Sequence, residues 1–306
     1  MTTGWIARGL ALAVALTAGA AQAQERVTLG WGRMFTNDGM GDGHDRWRTG
    51  AYTVSRLRGP SWSGSLPATF GEILEFRARA EIISPSTLSN PPPGDRRYAG
   101  VLTLGMHTHF ESGGFETSLG LDLAVTGPQT GLGRLQDRLH DLLGVAQPQV
   151  LADQIGDAVY PTLVFEAGRS LPLADAVTLR PFVAAQAGVE TWARLGADLT
   201  LGRFGQNALM LREATTGQRY RAVSGDHVPG LTFTLGGDIA HVWDSALLPE
   251  GGAAEMKDTR ERLRAGLAWQ GAGGFSAFYG LTWLSEEFET QGEGQLLGAL
   301  TINLRF

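Results

Sequence analysis

Two short stretches hold residues whose types and spacing could do chemistry. Asn37 and Asp38 stand side by side in TNDGMGDGHDRWRTG (36–50), which also carries Thr49, and Gln136 and His140 stand four apart in LQDRLHD (135–141). The chain has no cysteine, so thiolate nucleophiles and zinc–thiolate sites are excluded. The serines of GPSWSG (59–64) lack the strand–Ser–helix setting of an activated serine. A hydrolase without cysteine and without an activated serine can use water as the nucleophile. His140 could take its proton, because imidazole titrates near neutral pH. Asp38, a hard oxygen ligand, could hold Ca²⁺, which polarises an ester carbonyl. Asn37 could donate a hydrogen bond to the developing oxyanion. Plainer readings stand beside these: Asn-Asp-Gly is also a turn sequence, and one histidine on an amphipathic helix is usually structural. His107 and His109 form an H-x-H pair, and GDGHD (41–45) has carboxylates in an EF-hand-like rhythm without the closing glutamate.

The elements that must position these residues follow from the rest of the chain. Residues 1–23 carry Arg8, an apolar core and a small-x-small end at Ala21-Gln22-Ala23, the pattern of a secretory leader; its removal takes the formal charge from −6 to −7. Residues 24–306 are expected to form one domain, with no other apolar run near the ~18 residues of a membrane helix. Forty-three glycines point to tight turns and close strand packing, Lys257 is the only lysine, and the acidic balance argues against nucleic acid as a partner.

Most of this domain alternates with period two. Phe115, Thr117, Leu119, Leu121, Leu123 and Val125 share one face against Glu116, Ser118, Gly120, Asp122 and Ala124. Leu74, Phe76, Ala78, Ala80 and Ile82 oppose Glu75, Arg77, Arg79 and Glu81, and Leu300, Ile302, Leu304 and Phe306 oppose Thr301, Asn303 and Arg305. Long strands, export and a terminal aromatic favour a transmembrane barrel over a soluble sandwich, with apolar residues to lipid and polar residues to the lumen. The strands are expected at 26–35, 48–57, 72–83, 97–110, 114–126, 157–170, 175–189, 191–203, 230–244, 258–270, 274–286 and 295–306, twelve in all. Leu132, Leu135, Leu139, Leu142 and Leu143 recur at helical intervals and Gly144 is placed to stop the helix, so a short helix is inserted in the loop after the fifth strand, where a mere plug is the plainer reading. With the N-terminus in the periplasm, strand parity puts the loops at 36–47 and 127–156 at the same, extracellular end, and His107 and His109 toward the other.

Three motifs resemble a known family. TNDGMGDGHDRWRTGAYTVS resembles the Asn-Asp…Asp-Arg-x-x-Thr-x-Gly opening of the outer-membrane lipid A 3′-O-deacylases. ISPSTLSNPPPGDRRYAG is similar to that family's Ser/Thr-Pro-Ser loop and Gly-Asp-Arg segment. VTGPQTGLGRLQDRLHDLLG is similar to its Gly-Pro…Gln-x-x-x-His helix. The resemblance implies a twelve-stranded antiparallel β-barrel in the Gram-negative outer membrane, expected to act as a monomer. Its partners would be outer-membrane lipids, and it would remove the 3′ acyloxyacyl chain of lipid A (lipopolysaccharide) with Ca²⁺. It gives Asn37 and Asp38 to oxyanion and calcium, Thr49 to the site wall, and His140 to the base. One departure stands out: some members carry a site lysine in the loop that here spans 84–97, where only Asn90, Arg96 and Arg97 occur. Arg46, Arg96 and Arg97 are then the expected phosphate partners, by bidentate guanidinium contacts, with Gln136 beside them. Two other functions fit the same barrel: a non-enzymatic pore lined by the charges at 75–81, and an outer-membrane phospholipase.

Overall fold

A computed structural model of the chain describes residues 25–144 and 148–303. The leader at 1–23 and the terminal Phe306 lie outside the described residues. The strands are β1 (Val27–Asn37), β2 (Trp47–Gly59), β3 (Ile73–Ser84), β4 (Ala99–Ser112), β5 (Phe115–Thr126), β6 (Ala158–Gly168), β7 (Leu171–Ala174) and β8 (Val177–Ala187). They continue with β9 (Glu190–Leu201), β10 (Leu209–Arg212), β11 (Arg219–Val223), β12 (Gly230–Ser245), β13 (Thr259–Gln270), β14 (Ser276–Leu284) and β15 (Gln295–Asn303). The helix α1 (Leu132–Leu143) lies between β5 and β6, and Gly144 ends it with a left-handed φ of 66°.

Twelve of these strands close an antiparallel barrel. Each pairs with its neighbour, β1 closes on β15 through Phe35↔Leu300, and β6 pairs with β8 across Leu163↔Ala187. The four-residue β7 pairs with β8 as the continuation of β6 after a break at 169–170. Closure leaves no backbone edge facing lipid, which is what a membrane demands of strands. Alternation decides the faces: Trp31, Phe35, Leu104, Leu123, Phe233 and Trp269 are exposed on the outside. Glu75, Arg77, Arg79 and Glu81 point inward, where Arg77 pairs with Glu75 at 2.6 Å and Arg79 with Glu81 at 2.9 Å.

The lumen is not an open channel. The β9–β12 connection folds back into the barrel as the hairpin β10–β11, and Leu211, Tyr220 and Ala222 pack with Met34, Leu57 and Phe278 of the wall. Tyr220 Oη lies 3.0 Å from Ser55 Oγ, Thr215 Oγ1 donates to Glu81 at 2.9 Å, and Arg212 reaches Glu166 at 2.8 Å. These charges hold the hairpin, and Arg77, Glu166 and Arg212 also line a cavity of about 720 Å³ left between it and the wall. His107 and His109 turn into the same interior, but each meets a different carboxylate, Asp122 at 2.7 Å and Glu75 at 2.8 Å, so they do not converge on one point. The GPSWSG turn also serves the hairpin, since Trp62 donates to the carbonyl of Asn207 at 2.8 Å.

Gly30 makes the hairpin possible, because a Cβ there would come within 2.2 Å of the Ala222 carbonyl oxygen. Gly30→Val should therefore displace the hairpin and cost about 1–3 kcal/mol or more, as overpacking does. The expected reading is a lower temperature for the heat-induced gel shift, with ion conductance appearing in planar bilayers. An unchanged shift temperature and a silent bilayer would contradict this.

Candidate functional site

The site is built at the barrel rim opposite Glu25 and Asn303, and it begins where β1 ends. Asn37 accepts from the Gly39 amide at 2.9 Å, capping the short turn Asp38–Met40, and donates through Nδ2 to the Thr49 carbonyl at 3.0 Å. The Asx cap turns Asp38 inward until it is 2% exposed. Its two oxygens accept the amides of Gly39 at 2.8 Å and Arg46 at 2.9 Å. Burial, reinforced by the Asp45 and Asp42 carboxylates, pushes the Asp38 carboxyl up to about 8 against those hydrogen bonds.

The loop returns through Trp47, which takes a left-handed φ of 49°, uncommon for so bulky a side chain. Gln295 pins that return from both sides, accepting the Arg48 amide at 3.0 Å and donating to the Arg46 carbonyl at 2.6 Å. Thr49 faces inward as expected, and its hydroxyl lies 2.7 Å from Ser84 Oγ at the end of β3. It thus ties β2 to β3 and, through its carbonyl, to Asn37.

The helix lies outside the barrel wall. Asn37, Gly50, Ile82 and Gly100 are register partners on β1 to β4 and share the outward face. The Cβ of Leu132 is 3.0 Å from the place a Gly100 side chain would occupy, so that glycine is the seat of the helix start. From there α1 crosses the outer ends of β4 and β3. Its buried face carries Gln136 and His140 to Asp45 of the β1–β2 loop. His140 Nε2 stands 3.2 Å from Asp45 Oδ2, and Gln136 Nε2 stands 3.4 and 3.5 Å from the two Asp45 oxygens.

Asp45 is thus the residue that brings the two stretches together, contacting His140 while adding its field to Asp38. Sequence reasoning gave it no role, although it is the Asp of the Asp-Arg-x-x-Thr motif. Two further polar groups mark the spot: Tyr98 Oη and Gln136 Oε1 are buried with no hydrogen-bond partner. Orphaned buried atoms of this kind need an explanation, and a bound ligand or water is the ordinary one.

The arginines divide. Arg96 is turned into the barrel with a wholly buried side chain, paired with Glu287 beside Arg48 and Arg260. That corrects its expected place against a lipid phosphate: the inner carboxylate claims it. Arg97 points the other way, half exposed, with Asp153 at 3.5 Å. Arg46 is half-buried, held by Glu293 at 2.7 Å and Asp42 at 3.2 Å and stacked over Trp47 at 4.3 Å.

A buried carboxylate among other carboxylates, with only backbone amides as partners, suits a hard cation. Among the described residues no three His, Asp or Glu side chains converge as a metal cluster. An ion held by Asp38 would draw its remaining oxygens from backbone carbonyls, water or the ligand itself.

The family model described as outer membrane protein LpxR matches residues 10–306. Among solved structures, LpxR from Salmonella typhimurium is 20% identical with a TM-score of 0.72, covering 90% of this chain and all of that one, which shows the shared fold. The β domain of the Bordetella autotransporter BrkA is 12% identical over 92% of this chain and all of that one, at a TM-score of 0.42. No curated protein matches in sequence.

Proposed function

Because this chain belongs to the LpxR family of outer membrane proteins, we propose that it is a Ca²⁺-dependent ester hydrolase. Its substrate would be lipid A, from which it removes the 3′-linked acyloxyacyl chain in the outer leaflet. One observation carries the reading: an Asp45-paired histidine is pressed against the outside of the barrel wall, at the rim, beside a buried carboxylate that calls for a cation. A lipid ester in the outer leaflet arrives from that side. A pore would instead need an unobstructed lumen, and the hairpin β10–β11 packs across part of it.

His140 takes the proton of a water molecule as its oxygen adds to the ester carbonyl, and the Asp45 carboxylate beside Nε2 stabilises the imidazolium that results. Asn37 has a second N–H besides the one given to Thr49, and directs it to the developing oxyanion. When the tetrahedral intermediate collapses, the imidazolium returns the proton to the departing sugar oxygen. Thr49 holds Asn37 and the β2–β3 rim in register. Ca²⁺, bound through Asp38, would supply polarisation of the ester carbonyl. All of these groups come from one chain, so a single barrel carries the whole site and is proposed to act as a monomer.

Mass spectrometry of lipid A from cells with and without the protein tests the proposal. Loss of the mass of the 3′ acyloxyacyl group only in its presence is expected. Unchanged lipid A, with fatty acid released from glycerophospholipid instead, would make the protein a phospholipase.

The phosphate contact gives a second test. Arg97→Gln should raise KM for phosphorylated lipid A by several-fold more than for a dephosphorylated analogue, because a charge-assisted contact is lost. Arg96→Gln should lower stability rather than affinity. Equal effects of Arg97→Gln on both substrates would remove the residue from phosphate binding.

A further inference from the structure

We propose that α1 is a membrane-interface helix whose leucine flank enters the acyl region of the outer leaflet. Three sectors divide its surface. Leu132, Gly133, Gln136 and His140 are buried against the wall. Leu135, Leu139 and Leu142 recur at i, i+4 and i+7 and are 50%, 46% and 80% exposed. Arg134, Asp137, Arg138 and Asp141 take the remaining third.

The placement of the helix gives these sectors their direction. It runs along the rim, from its seat on Gly100 of β4 to Asp45 in the β1–β2 loop, across the strand ends and not parallel to them. With one sector against the wall, one free flank turns toward the membrane and the other toward solvent. Directly below the row Asn37, Gly50, Ile82 and Gly100, the register continues as Phe35, Tyr52, Ala80, Leu102, Val125 and Val159, the outermost continuous apolar row of the lipid-facing surface. Rows on one face are about 7 Å apart, so the helix rests one step above that row. Three leucines left bare in water beside a lipid-facing surface would be costly, whereas an amphipathic helix lying in the interface buries its apolar flank among acyl chains. The leucine flank extends the lipid-facing belt, and the charged flank lies at the headgroups. This inference does not depend on the hydrolytic reading.

The absence of cysteine makes the test clean. Leu135→Cys, Leu139→Cys, Arg138→Cys and Asp141→Cys, each carrying a nitroxide, are reconstituted into phosphatidylcholine–phosphatidylglycerol vesicles. Leu104→Cys on the barrel wall is the lipid-facing reference, and the heat-induced gel shift verifies folding. The ratio of collision with oxygen to collision with a water-soluble nickel chelate should be several-fold higher at 135 and 139 than at 138 and 141, approaching that at 104. A ratio at 139 equal to that at 138 would place the leucines in water and overturn the proposal. Shielding of 139 from both reagents would overturn it too, by showing a second copy or another protein segment over the flank.

Discussion

His140→Ala protein is expected to migrate as a folded, heat-modifiable barrel and to release no measurable acyl chain from lipid A. The side chain lies on a helix outside the closed sheet, so its removal takes nothing from the strand pairing that stabilises the fold. General-base assistance contributes roughly 10²–10⁴ in rate, and His44, the neighbour of Asp45 in the β1–β2 loop, is turned to Asp42 at 3.4 Å. Asp45→Asn keeps the shape of the partner and removes its charge, so a smaller loss is expected, falling on kcat more than on KM. Wild-type turnover by folded His140→Ala protein would end the mechanism.

Chelation should silence the enzyme, Ca²⁺ should restore it, and Zn²⁺ should substitute poorly at an all-oxygen site. The Asp38 carboxyl supplies a second signature, in stability. Its ordinary value of 3.8 is raised to about 8, chiefly by burial. Between those values the native state holds a proton that the unfolded chain has released, so ion-free stability falls as pH rises across that window. A bound dication favours the ionised carboxylate and should remove much of that fall. In EDTA the unfolding temperature should drop from pH 6 to pH 9, and Ca²⁺ should flatten the curve. Asp38→Asn should be flat in both and should need more Ca²⁺ for activity. Full turnover in chelator, with identical pH curves with and without Ca²⁺, would remove the metal from Asp38.

Much of this was legible in the chain as written. Period-two alternation located all twelve barrel strands and assigned Glu75, Arg77, Arg79 and Glu81 to the interior, because in a strand the face of a side chain is set by parity alone. Parity also put the loops of Asp38 and His140 at the same end, since strands of a closed antiparallel barrel must alternate in direction. The helix and its stop at Gly144 followed from 3.6-residue spacing. What the sequence could not settle is everything that depends on which distant groups meet. The hairpin β10–β11 is two short segments inside a periplasmic connection, and nothing local distinguishes a loop hanging in water from one folded into the lumen; the Tyr220, Arg212 and Thr215 partners on the wall decide it. Arg96 and Arg97 are identical neighbours in the sequence, yet the buried Glu287 draws one inward and leaves the other outside. Asp45 is one of three aspartates in its loop, and only the helix laid across the rim makes it the partner of His140. Helical periodicity groups Leu135, Leu139 and Leu142 on one flank, but whether that flank meets protein, water or lipid depends on where the helix sits, and the open seat at Gly100 puts it on the outside of the wall.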